Sequence, residues 1–95
     1  MARAEQKLFA LNDRIILLDE EIARVADELS YHRSLSDDAA RDAAVSGEPI
    51  EQENATMTAR DVEQFQRRQQ RLMDKREKLE SQRQRLIDKL GLTEL

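Results

Sequence analysis

The feature that most constrains this chain is a heptad repeat of apolar residues in its first third. Apolar side chains recur there at alternating spacings of three and four residues, which is the repeat of a coiled-coil helix. The repeat therefore predicts a first helix over residues 1–33 that buries a single seam. The seam residues at positions a and d are Met1, Ala4, Leu8, Leu11, Ile15, Leu18, Ile22, Val25, Leu29 and His32.

A second, narrower seam lies in the other half of the chain and predicts a second helix over 57–91. Its d positions are Phe65, Leu72, Leu79 and Leu86, and its a positions are Val62, Gln69, Arg76, Arg83 and Leu90. A buried unpaired charge costs several kcal/mol. We therefore expect the two seam arginines to lay their stems along the apolar surface and to send their guanidinium groups to solvent or to acids at its edge.

Capping chemistry predicts where the second helix begins and ends. Thr58, followed by Asp61, has the pattern of a capping box, in which the hydroxyl accepts an N–H of the first turn. Gly91 suits the other end, because a left-handed glycine closes off the last carbonyl groups. Residues 92–95 would form a short C-terminal tail.

The two seams fit each other if the chain is an antiparallel hairpin. Facing residue numbers in such a pair add to a constant, and Ile15 with Leu79 and Ile22 with Leu72 both give 94. Half of 94 is 47, which is the position of Gly47. A slip of one heptad would also match apolar with apolar residues, so this register is favoured over its neighbours and not unique. It also brings two like charges together, on Lys7 and Lys89.

The acidic segment 34–56 forms the predicted bend. It carries six acidic residues and one basic residue, against a net charge of −4 for the whole chain. Ser34 or Ser36 could cap a separate short helix that ends at Gly47. The preferred interpretation is that the first helix extends to Gly47 with a kink near these serines. Pro49 then stops the helix, because it disfavours the α conformation at the residue before it.

Apolar residues outside the seams predict self-association. Phe9 and Ile16 form a row at position b of the first helix, and Met73 and Ile87 occupy position e of the second. Because b lies next to e, they broaden one side of the hairpin. We expect a second copy to cover this side in an antiparallel four-helix bundle homodimer. A groove that accepts another protein's helix is the alternative.

The composition of the chain provides few of the groups that enzymatic catalysis requires. The chain has no cysteine and therefore no thiol nucleophile. It has one histidine, so no serine or threonine can pair with a second histidine. It has two glycines, so it contains no glycine-rich loop that could bind phosphate. We expect no enzyme, no cofactor and no metal site, with His32 packed at the end of the seam. No uncharged run approaches the roughly 20 residues that cross a bilayer. These features favour a cytoplasmic protein without membrane contact.

Basic residues concentrate in the second helix, in the segment "QRRQQRLMDKREK". Interleaved acids and the lack of aromatic residues for base stacking make a solvated helix face the favoured interpretation. We therefore do not expect nucleic acid as the main partner, although weak binding by this helix stays an alternative.

The acidic bend supports one specific alternative. Asp37, Asp38 and Asp42 lie within "SDDAARDAAVSGEP", at the end of the predicted hairpin. An acidic-tipped helical hairpin resembles the DksA and Gre class, whose coiled coils enter the secondary channel of RNA polymerase. The resemblance covers the architecture and "DDAARDAA" only, without the zinc-binding or globular domain of that class. It implies a transcription regulator that acts through these aspartates.

Taken together, the residues predict an all-α, antiparallel two-helix coiled-coil hairpin that pairs into a four-helix bundle homodimer. We expect a non-enzymatic adaptor or regulator, which acts through protein–protein contacts with itself and with a further protein. The polymerase-directed regulator is the alternative.

Overall fold

A computed structural model describes residues 3–91 of the chain. It contains two α-helices, α1 (Arg3–Ser46) and α2 (Pro49–Leu90), and no strand within those residues. The two long helices pack against each other, which confirms the predicted all-α architecture. In the described range neither helix contains an apolar stretch long enough to cross a membrane. Met1, the first predicted seam residue, and the predicted tail 92–95 lie outside the described residues.

Burial follows the heptad positions in both helices. In α1 the a and d residues from Leu8 to His32 are buried or half-buried, and in α2 the same holds from Val62 to Leu90. Most of the side chains between them are exposed. The periodicity of apolar residues therefore predicts which face of each helix is covered, as expected for helices whose stability comes from packing an amphipathic face.

The described residues form two compact units. Unit 1 comprises residues 3–22 and 71–91, and its core is aliphatic. Three leucines and one isoleucine are buried there, and two further leucines pack against them half-buried. These core residues are Leu11, Ile15, Leu18, Leu79, Leu72 and Leu86.

Unit 2 comprises residues 23–70. It buries fewer side chains than unit 1, and they include a valine and an alanine. Val25 and Leu29 are buried in α1, and further along the same helix the buried residue is an alanine, Ala39. His32 is half-buried and stacks its ring on that of Phe65, with the ring centroids 4.4 Å apart. Aromatic pairs of this kind contribute roughly 0.5–1.5 kcal/mol beyond the area that they bury.

Helix α1 extends through the predicted acidic bend. It passes Ser34 and Ser36 as helix and ends at Ser46, so no separate short helix is capped by these serines. The reason is that the seam continues: Ser36 and Ala43 are half-buried, and Ala39 between them is buried. A covered face through this segment favours helix over the bend that its acidic composition predicts.

The connection between the helices consists of two residues, Gly47 and Glu48. Gly47 has a φ of 67°, and its N–H donates to the carbonyl of Ala43 at 2.9 Å, which is the left-handed cap of a helix C-terminus. The N–H of Glu48 donates to the hydroxyl of Ser46 at 3.3 Å. The predicted turn residue thus adopts the conformation that glycine allows best.

Helix α2 begins at Pro49, earlier than the predicted start at 57. Proline at the first helical position has a suitable φ and lacks an N–H that would be unsatisfied there. The carbonyl of Glu48 accepts the first hydrogen bond of the helix, from Gln52 N–H at 3.1 Å. Glu51 lies in the first turn, where the helix dipole favours a negative charge.

The predicted capping box at Thr58 is wrong. Thr58 lies inside α2, and its hydroxyl donates to the carbonyls of Asn54 and Ala55, both at 3.0 Å, as threonine does in a helix interior. The predicted end at Gly91 is confirmed. Gly91 has a φ of 72°, and its N–H donates to the carbonyl of Asp88 at 3.1 Å.

Candidate interaction surfaces

The two seam arginines of unit 1 send their guanidinium groups to polar partners at the edge of the core. Arg76 pairs with Asp19 of α1 through two nitrogens and with Glu80 of its own helix at 2.9 Å. Arg83 donates to the side-chain oxygen of Asn12 at 3.1 Å and lies 3.4 Å from Glu80. This arrangement confirms the expectation for both arginines, since neither charge is left without a partner.

These contacts change the proton affinity of the groups involved. The hydrogen bond from the Arg76 guanidinium lowers the pKa of Asp19 below its ordinary value of 3.8. The hydrogen bond to Asp19 in turn raises the pKa of Arg76, with a further contribution from Glu80. Both side chains are partly open to solvent, so the ion pair contributes little to the free energy of folding. Its main effect is to position the two side chains at the edge of unit 1.

The predicted self-association residues all lie in unit 1. Phe9, Ile16 and Met73 leave 51%, 55% and 48% of their surface exposed, whereas Ile87 is half-buried. We call these four residues the apolar flank. Phe9 and Ile16 occupy position b, next to the e positions of Asn12 and Asp19 in the same helix, so the polar network lies beside the apolar flank. Its use as an interface stays a prediction.

His32 is an aromatic packing residue of unit 2. Its ring stacks on Phe65 and meets the ring of Tyr31 edge-on, with those two centroids 5.4 Å apart. Between residues 3 and 91, no group of three or more metal-ligating side chains comes together. The half-buried position of His32 agrees with its expected place at the end of the seam, whereas the ring contacts are a finding that the spacing did not predict.

The three predicted tip aspartates lie on α1, not in a bend. Asp37, Asp38 and Asp42 are all exposed, and the carboxylate of Asp38 pairs with the guanidinium of Arg41 one turn further on. Their heptad positions are b, c and g. Asp38 and Asp42 are four residues apart and share a helix face, whereas Asp37 points about 100° away from Asp38. Their role as a contact for RNA polymerase stays a prediction, which changing all three to asparagine would test.

Sequence reasoning missed a set of exposed apolar residues in unit 2. Ile50 and Met57 leave 70% and 55% of their surface exposed, and both line a surface hollow of about 410 Å³ with Glu51, Glu53 and Asn54. We call it the acidic hollow. The signal was available, because Ile50 and Met57 are seven residues apart and share heptad position c. The segment was interpreted as a bend, so its helical periodicity was not considered.

Comparison with protein-family models, with curated proteins and with solved structures gave no match to this chain.

Proposed function

We propose that this protein is a non-enzymatic coiled-coil adaptor or regulator of the cytoplasm, which acts by self-association and by contact with a further protein. The observation that carries the proposal is the apolar flank of unit 1. Phe9, Ile16 and Met73 are large side chains, each about half exposed, and they come from both helices. Exposed apolar side chains at positions b and e, which lie on one side of a hairpin, provide a surface of the kind that is typical of interaction sites.

The proposal includes an antiparallel hairpin in which the numbers of facing residues add to about 94. In unit 1, Asp19 contacts Arg76 and Asn12 contacts Arg83, and the residue numbers of both pairs add to 95. Partner numbers that rise on one helix as they fall on the other support antiparallel helices. A slip of one heptad would move the sum by about seven, well away from these pairs.

A second copy is the favoured partner for the apolar flank. Two hairpins that face each other through this flank would form a four-helix bundle with a symmetric interface, in which the same residues serve on both sides. The polar network beside it fits such an interface. Because Asp19, Arg76 and Arg83 already have partners within one chain, covering them would leave no unpaired charge, which is the costly case.

Sedimentation of the purified protein at micromolar concentration tests this proposal. We expect a dimer for the parent chain in 0.5 M salt, where the Debye length is only a few Å and charge contacts are screened. Changing Ile16 to Glu should give a monomer. Leu17→Glu is the matched control, because Leu17 is exposed and adjacent but lies at position c, away from the apolar flank.

Circular dichroism of all three proteins separates dissociation from unfolding. A parent that is a stable monomer would contradict the dimer, and equal dissociation by Ile16→Glu and Leu17→Glu would contradict the assignment of the interface. For the adaptor role, an affinity purification compares the parent with Ile16→Glu. Partners that bind the parent alone would show that the dimer is the form that recognises them.

A further inference from the structure

Among the described residues, a groove in unit 1 carries four positive charges and no negative one. It has a volume of about 550 Å³ and lies between segments of α1 and α2. Its basic residues are Lys7 and Arg14 from α1 and Arg85 and Lys89 from α2. Leu11, Leu86 and Ala10 supply apolar surface, and Gln82 completes the lining. We call it the basic groove.

Within the part of the chain that the structure describes, the four cations lack a compensating negative charge. No ion pair joins any of them to another residue in the range 3–91. Elsewhere in unit 1 the pattern is the opposite, because Arg76 pairs with Asp19 and with Glu80. Four like charges around one groove repel each other, and an anionic occupant would convert that repulsion into attraction.

The apolar residues of the groove restrict the kind of occupant. Proteins that bind single-stranded nucleic acid combine positive charge with aromatic platforms for the bases. The described lining of the groove contains no aromatic residue. Leu11 and Leu86 instead suit aliphatic side chains. The matching chemistry is a helical segment that combines apolar residues with carboxylates on one face, as in helix-in-groove recognition.

The acidic hollow of unit 2 has this chemistry. Ile50 and Met57 lie one heptad apart on α2 and present apolar surface, while Glu51 and Glu53 supply two carboxylates. None of its lining residues in the described range 3–91 is basic. The charge and the apolar content of the two surfaces are therefore complementary.

We propose that the basic groove of one copy binds the acidic hollow of a second copy, through Ile50 and Met57 against Leu11 and Leu86 and carboxylates against the surrounding cations. The contact extends the proposed self-association to a second surface, and it does not require the apolar flank. It differs from a flank contact in its dependence on salt, because charge complementarity contributes directly to it.

Two charge-reversed variants test the contact in an Ile16→Glu background, which removes the flank contact. The first carries Lys7→Glu, Arg14→Glu and Arg85→Glu in the groove, and it leaves Lys89 in the last turn of α2. The second carries Glu53→Lys and Asn54→Lys in the hollow, and it leaves Glu51 in the first turn. All five changed side chains are exposed, so the seams are untouched.

We expect the Ile16→Glu protein to associate in 50 mM salt and to lose at least about tenfold of its association constant in 500 mM salt. Each charge-reversed variant alone should lose the association, because groove and hollow then carry like charges. An equimolar mixture of the two should associate again, since each groove meets a hollow of opposite charge. Sedimentation measures all of these, and circular dichroism verifies folding.

Failure of the mixture to associate more strongly than either variant alone would overturn the proposal, as would association of the Ile16→Glu protein that ignores salt. Binding of an RNA or DNA oligonucleotide by the groove without self-association would assign the groove to nucleic acid instead. If Ile16→Glu lowers the helix content, the same pair of variants is mixed in the parent background. There, recovery of larger species in the mixture alone supports the contact, and no recovery overturns it.

Discussion

Units 1 and 2 pack through the same heptad positions but fill them with different side chains. The difference shows how the size of the buried side chains sets what each unit contributes to stability. Unit 1 fills its seam with leucine and isoleucine, and it accommodates Arg76 and Arg83 at the edge. Unit 2 buries Val25 and Leu29, has small side chains such as Ala39 further along its seam, and adds one aromatic stack. Since apolar stabilisation scales with buried area, we infer that unit 1 contributes more folding free energy per heptad.

The comparison also concerns tolerance of change. An aliphatic core loses stability when a side chain is shortened, because a cavity remains. A buried alanine such as Ala39 has little to lose by shortening, and its site loses stability when the side chain grows. The sites of Leu79 in unit 1 and Ala39 in unit 2 should therefore be sensitive to substitutions of opposite size.

The largest effect is expected from shortening the core of unit 1. Leu79→Ala should lower the free energy of unfolding by about 2–5 kcal/mol, because Leu79 is 4% exposed and borders three other buried aliphatic residues. Val25→Ala in unit 2 should cost less, about 1.5–2 kcal/mol, since it removes two carbons at about 0.8 kcal/mol each. Urea denaturation measures both. Leu17→Ala, at an exposed site, is the control with little effect, and a larger loss for Val25→Ala would reverse the comparison.

The opposite substitution sharpens the description of unit 2. Ala39→Leu should destabilise the protein by about 1–3 kcal/mol, because the site is buried and has no room prepared for three more carbons. Ala40→Leu places the same side chain on the exposed neighbour and should change stability by no more than about 0.5 kcal/mol. Equal effects at the two sites in thermal denaturation would show that Ala39 does not limit the approach of the helices.

A smaller effect is expected at the helix ends. Gly47→Ala should cost about 1–2 kcal/mol, because its φ of 67° is unfavourable for a residue with a Cβ. Gly91→Ala should cost less, since the last turn of a helix opens more readily than an internal connection. A Cβ would meet no atom within 4 Å at either site, so backbone strain alone is measured. A neutral Gly47→Ala would contradict the left-handed cap.

The smallest effect concerns the ion pair of unit 1. The pKa of Asp19 is lower in the folded protein than its ordinary value, so the unfolded chain takes up the proton first as the pH falls. The stabilisation from the pair is fully present above pH 3.8 and declines as the pH falls below it. Asp19→Asn and Arg76→Leu should both reduce this acid sensitivity in denaturant titrations. Unchanged acid sensitivity in both variants would show that the pair does not hold in solution.

Residue spacing predicted much of this structure. The seams, the turn at Gly47 and the end at Gly91 all follow from heptad periodicity and from the conformations open to glycine. The arginine contacts were predicted too, since a charge at a seam position has few acceptable arrangements. These are local rules, or rules that apply along one helix.

Composition predicted less well than spacing. Segment 34–56 is acidic and poor in large apolar residues, which favours a bend, yet helix covers all of it except Gly47 and Glu48. Alanine explains this outcome, because it has the highest helix propensity and lets the covered face continue. Of the basic groove, the sequence predicts only that the like charges of Lys7 and Lys89 come together. The contribution of Arg14 and Arg85 depends on which side chains meet across two helices, and a single helix pattern does not contain that information.

The two-residue connection at Gly47 has a consequence for how a chain of this kind can change its length. One residue added within α1 would rotate the seam positions on one side of it by about 100° around the helix axis, and so short a connection cannot absorb the change. A whole heptad added to one helix alone would keep the rotation but leave its partner without matching residues. Insertions and deletions should therefore occur as pairs of heptads, one in each helix. The two members of each pair should lie at equal distances from Gly47 along the chain.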